Sequence, residues 1–191
     1  MKKLFFLALT FMMIGSGVLA QTTWKTDPFH SSVNFVIKHS GISFVPGKFE
    51  KFDGTMTASK ADFTDAQINF TVDVNSINTS VEPRDNHLRS ADFFEVAKYP
   101  QMKFVSTSFK KKKGTNYELK GNLTIKDVTK PVTFRVVYGG SSKDQKGNEK
   151  IGFWAFLNIN RLDYNVNYDP TGMGVAKDVD IKIYLQFAKA K

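Results

Sequence analysis

QINFTVDV, residues 67–74, sets Ile68, Phe70, Val72 and Val74 against Gln67, Asn69, Thr71 and Asp73. Successive side chains of a strand point to opposite faces, so a period of two marks a strand with one apolar and one watered face. The same alternation recurs. Val33, Phe35 and Ile37 alternate with Ser32, Asn34 and Lys38, and Tyr117, Leu119, Gly121, Leu123 and Ile125 share another face. Further faces are formed by Val132, Phe134, Val136 and Tyr138, by Phe153, Ala155, Leu157 and Ile159, and by Val179, Ile181, Ile183, Leu185 and Phe187. Less regular runs cover residues 48–58 and 101–109. The result is eight candidate strands, centred near Val33, Phe49, Phe70, Phe104, Leu123, Phe134, Phe153 and Ile183.

The punctuation suits short connections. Lys113-Gly114 reads as a hairpin tip, Lys130-Pro131 and Gly139-Gly140 through Lys146-Gly147 as turns between the later strands, and Asp53-Gly54 as a bulge within one strand. Short turns between amphipathic strands make neighbours antiparallel, and eight such strands can close into a barrel with no free edge. The expected fold is therefore all-β, an eight-stranded antiparallel barrel. A barrel of this size either fills its interior with side chains or holds one small ligand, and periodicity does not separate the two outcomes. Eighteen Phe residues, of which only Phe5, Phe6 and Phe11 precede Gln21, supply abundant apolar surface for either.

One stretch breaks the strand pattern: RDNHLRSADFFEVAKYP, residues 84–100. Pro83 is suited to the first turn of a helix, and helical spacing sets Arg84, His87 and Leu88 on neighbouring faces. Ser90 to Phe93 begins a second short turn, and Tyr99-Pro100 returns the chain to an extended conformation. A short helical insertion over about residues 83–96 follows, with a polar cluster joined to the apolar plug Leu88, Phe93 and Phe94. Such a segment belongs at the mouth of a barrel.

Residues 1–20 carry Lys2 and Lys3, an apolar run from Leu4 to Ile14, and Val18-Leu19-Ala20 before Gln21. This is the three-part pattern of a secretory signal peptide, with cleavage expected after Ala20 and a single domain over 21–191. The apolar run is shorter than the ~20 residues a spanning helix needs. A periplasmic or secreted location is expected. The chain has no Cys, which removes disulfides, thiolate metal sites and a Cys nucleophile together.

Lys plus Arg number 27 against 18 Asp plus Glu, a net charge of +9. Basic patches interleaved with aromatic residues, as nucleic-acid binding requires, are not apparent. The one dense run, Lys110 to Lys113, reads as a solvated hairpin tip or as a weak, transient attraction to anionic lipid headgroups. His30, His39 and His87 lack the close spacing of a ligand pair, so no metal is expected. Asp85, His87 and Ser90 are the residue types of a hydrolase triad. They lie close together on one insertion, without the Gly-x-Ser-x-Gly turn that exposes a nucleophile. No catalytic residue is expected.

An ordered series of words spans the chain: Trp24 with Asp27, Pro28, His30 and Ser31; His39; Gly47-Lys48-Phe49 and Gly54; Arg84 to Leu88; Asp92-Phe93-Phe94; Tyr99-Pro100 and Phe104; Gly121 to Ile125; Thr129 to Val132; and Asn160 to Tyr164. This series resembles the YceI family of exported, lipocalin-like proteins. The resemblance implies an extended barrel whose hydrophobic bore holds a polyprenol, a polyprenyl phosphate or the tail of a quinone. The family pattern places Phe-Gly where this chain has Tyr164-Asn165; Tyr adds a hydroxyl, and Asn tolerates the left-handed backbone of a Gly.

On that reading the tail-lining candidates are Phe35, Ile37, Phe49, Phe52, Ile68, Phe70, Val72, Leu88, Phe93, Phe94, Phe104, Leu123, Phe134, Phe153, Ile159, Ile181 and Ile183. Arg84, Asp85, His87, Arg161, Asp163 and Tyr164 are the candidates for a headgroup at the mouth, or for a network that fixes the insertion on the rim. The expected function is a non-enzymatic carrier or store for an isoprenoid, quinone or other lipid-like ligand. Its rivals are a filled-core envelope adaptor with a protein partner and an enzyme acting on a lipid headgroup through His87 and Asp85. Monomer and homodimer both remain compatible with the sequence.

Overall fold

The greasy faces are joined into one antiparallel sheet that closes on itself, as seen in a computed structural model. The structure describes residues 21–190, so the leader read at residues 1–20 lies outside the described residues. Strands β1 (Thr22–Thr26) and β2 (Ser32–His39) run on as one stave, broken by a 3₁₀ turn at Pro28–His30. Strands β3 (Ser43–Phe49) and β4 (Phe52–Ala58) form a second broken stave, and β5 (Gln67–Asp73) with the two-residue β6 (Ile77–Asn78) a third. The remaining staves are β7 (Gln101–Lys111), β8 (Asn116–Ile125), β9 (Val128–Lys143), β10 (Glu149–Asn160) and β11 (Val175–Lys189). Counting each broken pair once gives the eight staves expected.

Around one end the order is β1, β4, β5, β7, β8, β9, β10 and β11. The ring shuts where β11 returns to β1, with Trp24 opposite Lys189 and Thr26 opposite Phe187. Toward the other end β11 exchanges partners and pairs with β2, β2 with β3, and β3 with β6. The break between β1 and β2 is held from the side. Asp27 accepts from the Phe29 N–H at 3.1 Å and from Gln186 Nε2 at 2.9 Å, and lies 2.9 Å from His30 Nδ1. Ser31 Oγ accepts from the Gln186 N–H at 3.0 Å.

Helix α1 (Glu82–Arg89) packs beside β6. It is shorter than the insertion read from the sequence: Ser90 stops it, and residues 91–94 and 96–98 are turns. Three turn assignments also change. Asp53-Gly54 is no bulge, since β4 pairs with β5 in unbroken register from Phe52 opposite Val72 to Thr57 opposite Gln67. Lys130-Pro131 lies within β9, with Pro131 opposite Asn122; the turn falls earlier, where Lys126 takes a φ of 53°. Gly139-Gly140 is also inside β9, at a bulge where Gly140 faces Gly152 but Tyr138 faces Phe153. Glycine suits both a turn and a bulge, which is why the sequence misplaces this break. Lys113-Gly114 does form a hairpin tip, with Gly114 at φ 64°.

The end where β1 completes the ring is filled. The β4–β5 connection folds inward at Phe63, whose φ of 60° is uncommon for a bulky residue. Its ring meets Trp24 at 6.2 Å and Phe153 and Tyr138 at 5.7 Å. Phe109, Tyr117 and Phe187 also meet Phe153, forming a continuous aromatic stopper. Phe63→Ala would remove its centre. The variant should lose about 3–5 kcal/mol of unfolding free energy, read as a lower urea midpoint at unchanged slope.

Candidate functional site

Beyond the aromatic stopper the inward faces cease to meet. They enclose a cavity of about 350 Å³ that opens at the end carrying α1. Its wall takes Phe35 and Ile37 from β2, Phe49 from β3, Phe70 and Val72 from β5, Phe104 from β7 and Leu123 from β8. Phe134, Ile159, Ile181 and Ile183 complete it, and Leu88, Phe93 and Phe94 come from the insertion. Phe35, Ile37, Ile159, Ile181 and Ile183 point inward yet remain only half-buried. Apolar side chains that keep accessible surface inside a barrel mark space the protein itself leaves unfilled.

Three expected wall residues lie elsewhere. Ile68 and Phe153 are buried outside the cavity wall, Phe153 among the rings of the stopper, and Phe52 stacks on Phe70 at 5.8 Å without reaching the cavity. The sequence reading missed Val33, Val45, Met102, Ile125, Val175 and Val179, together with Val166 and Tyr168 from the irregular β10–β11 connection. Val33, Ile125 and Val179 sit on alternating faces already recognised, so the signal was present. Tyr168 had none.

The cavity is kept open by where its largest side chains rest. Phe35 lies across Gly47 of the neighbouring strand, and Phe70 across Gly54; a Cβ at either glycine would collide with the ring. Phe104 rests against Gly121 in the same way. Any larger residue at these glycines would displace the rings from the wall.

The polar residues at the mouth are mostly engaged with the frame. Asp85, buried, accepts from Thr79 N at 2.8 Å and Thr79 Oγ1 at 2.5 Å, while Arg84 donates to the Thr79 hydroxyl and carbonyl at 2.7 and 2.9 Å. Arg89 ties α1 down by donating to the carbonyls of Asn75 and Ile77. Asp85 therefore pairs with none of Arg84, Arg89 and Arg161; Thr79 is its partner. Arg161 is buried and donates to four carbonyls, those of Ala176, Val166, Asp169 and Val175, at 2.7 to 2.9 Å. Burial lowers its pKa from the ordinary value. Asp163 is exposed and reaches Lys130 at 3.3 Å, away from the cavity wall.

Hydrogen bonds from the Thr171 hydroxyl and the Val175 and Gly174 N–H groups hold Asp169 far below the usual carboxylate range. The β10–β11 loop is thereby fixed over the mouth. There His87, half-exposed, lies 2.8 Å from Asp92 and edge-on to Phe93 and Tyr168, both at 5.0 Å. Ser90 Oγ donates to the His87 carbonyl, so Asp85, His87 and Ser90 are not arranged as a proton relay. The three imidazoles have separate neighbours: His30 meets Asp27, His39 meets Ser40, and His87 meets Asp92.

Tyr164 differs from all of these. It is buried on the cavity wall, among the described residues none is seen to hydrogen-bond its hydroxyl, and burial raises its pKa. The turn that carries it, Arg161–Tyr164, is fixed at both ends. Asn160 caps it by accepting from the Leu162 N–H, and Asn165 takes the left-handed conformation, φ 58° and ψ 27°.

Residues 24–187 match the YceI-like domain. The chain belongs to the YceI family. Protein YceI of Salmonella arizonae is 41% identical over 165 residues, which cover 86% of each chain. Among solved structures, Burkholderia cenocepacia BcnA superimposes with a TM-score of 0.77 at 27% identity, covering 84% of this chain and 98% of its own. A polyisoprenoid binding domain from Saccharophagus degradans shares the fold, with a TM-score of 0.67 at 17% identity, covering 90% of this chain and 99% of its own. Several of the words by which the YceI resemblance was recognised are frame parts. Asp27 and Ser31 hold the β1–β2 break, Gly47, Gly54 and Gly121 seat the rings, and Arg161 anchors the final loop.

The Phe–Gly seating can be tested. Gly47→Ala should force Phe35 off the wall, lowering the unfolding free energy by about 1–3 kcal/mol and reducing uptake of an apolar fluorescent probe. Gly152→Ala, where the nearest atom to a new Cβ stands at 3.9 Å, should leave uptake unchanged.

Proposed function

We propose that this YceI-family chain is an exported, non-enzymatic binding protein. Its bore holds a long apolar chain of isoprenoid type, a polyprenol, a polyprenyl phosphate or a quinone tail, for transport, storage or sequestration. The observation that carries this reading is the open apolar cavity, whose inward side chains remain only half-buried along β2, β10 and β11. Enclosing a hydrocarbon there contributes about 0.8 kcal/mol for each CH₂ removed from water, so a long tail binds with few polar contacts. The polyisoprenoid binding named for the Saccharophagus degradans domain supports the same ligand class. Export rests on the leader pattern of residues 1–20.

A transient contact with a membrane surface belongs to this reading, through the rim of the mouth. Ile42, Phe44 and Met173 are 88%, 63% and 81% exposed, although each is large and apolar. The β2–β3 turn, which runs into Phe44 at the start of β3, and the β10–β11 loop that carries Met173 are joined where the Ser40 N–H donates to the Gly174 carbonyl at 2.7 Å. His39, Val45, Tyr168 and Val175, next to these loops, line the cavity. Lys110 to Lys113 are at the opposite end, where Lys111 faces Tyr117 beside the aromatic stopper. The basic run thus points away from the entrance, and the apolar rim is the better membrane-facing element.

Incubation with vesicles containing a long polyprenol should raise the Tm of the protein by several degrees, as expected for a ligand that binds only the folded state. Replacing both Ile42 and Met173 by Ser should slow loading from vesicles without changing the final Tm. No rise with any polyprenol or long-tailed quinone would contradict the proposed ligand class.

A further inference from the structure

We propose that Tyr168 is a side-chain gate: its ring rests against His87 and Phe93 across the cavity mouth, and an apolar chain passes when that contact opens. This rests on the proposed binding of a long apolar molecule and adds the route by which it enters and leaves. Tyr168, His87 and Phe93 all line the cavity. Tyr168 is also 41% exposed and the His87 side chain 42%, so both stand at the boundary between the bore and water. Across that boundary the insertion and the β10–β11 loop meet ring to ring. Tyr168 lies 5.0 Å from the His87 ring and 4.7 Å from the Phe93 ring.

The backbone on each side of this contact is pinned. Arg161 donates to the carbonyls of Val166 and Asp169, which flank Tyr168, and the Asp169 carboxylate accepts from the Gly174 and Val175 N–H groups. In the insertion the Phe93 N–H donates to the Ser90 carbonyl at 3.2 Å and the Phe94 N–H to the Leu88 carbonyl at 3.1 Å. Asp92, 2.8 Å from His87 Nε2, fixes the imidazole. Lys126 reaches both sides, 2.9 Å from the Asn165 carbonyl oxygen and 3.9 Å from Glu95. Among the described residues no direct hydrogen bond joins the two sides at the rings. Ring pairs are individually weak, and exposed side chains change rotamer readily. The opening that breaks least therefore turns Tyr168 aside while both backbones stay in place.

The test follows a fluorescent farnesol analogue, a short isoprenoid that stays dispersed in buffer, with loading measured by stopped flow and release by dilution. Tyr168→Ala should speed both loading and release by about five- to tenfold, as expected when weak ring contacts are removed from a barrier. A residue that only lined the wall would speed release and leave loading unchanged, so that result overturns the gate. Tyr168→Phe, which restores a ring, should bring both rates back toward the wild-type values; rates as fast as those of the alanine variant would show that the ring contact is not the closure. His87→Ala removes the facing ring and should also speed loading, which keeps the gate testable if Tyr168→Ala does not fold. Unchanged loading in the alanine variants overturns the gate and leaves the apolar-ligand reading standing. Failure of the wild-type protein to take up the analogue removes both.

Discussion

The structure depends on a closure made by one strand. β11 pairs along one edge with β10, from Lys150 opposite Ala188 to Asn160 opposite Asp178. Along its other edge it pairs with β1 near its end and with β2 nearer its start. Sheet edges left open would need charge, proline or cover, and this ring needs none around its closed end. Closure also creates an inside. An eight-stranded ring is just wide enough for side chains to fill, so the contents of the bore follow from which residues point inward at each height.

At one height the answer is aromatic. Phe63, Phe109, Tyr117, Tyr138, Phe153 and Phe187 pack edge to face and stacked, as ring quadrupoles favour. At the other height the large residues Phe35, Phe70 and Phe104 rest against glycines, and the centre remains open. The same residue type is therefore used in two ways: stacked ring on ring it fills a barrel, and laid on glycine it only papers the wall. The mouth is built on a different principle. A buried guanidinium is tolerated when its N–H groups are satisfied, and Arg161 uses that requirement to fasten a loop that has no regular structure. Asp85, Thr79 and Arg84 fasten the insertion by the same means.

Much of this was legible in the sequence because strand alternation is a strong signal. The eight centres, from Val33 to Ile183, each fall in one of the eight staves. Alternation gives the face of a residue and not its height along the barrel. Ile68 and Phe70 are two residues apart on one face, yet only Phe70 reaches the cavity. Phe153 and Ile159 are separated in the same way along β10. The first half of β3 was illegible for another reason: Phe44 and Pro46 are apolar yet lie on the outward face, so the apolar residues there show no period of two. Tyr168 lies in a loop whose geometry is set by the side-chain hydrogen bonds of Arg161 and Asp169, which no strand or helix period encodes. For the polar residues, the sequence showed which types were present but not how they would be spent. Only coordinates reveal that Asp85 serves a threonine while Arg161 serves four carbonyls.

The central claim is that the open half of the bore is a place for a long apolar molecule. Native mass spectrometry of protein purified without strong detergent or organic solvent, followed by extraction and weighing of what is released, tests it most directly. The account predicts one tightly held species per chain, soluble in organic solvent and dominated by hydrocarbon. Folded protein at the bare chain mass, yielding no apolar molecule on extraction and acquiring none when one is offered, would contradict it.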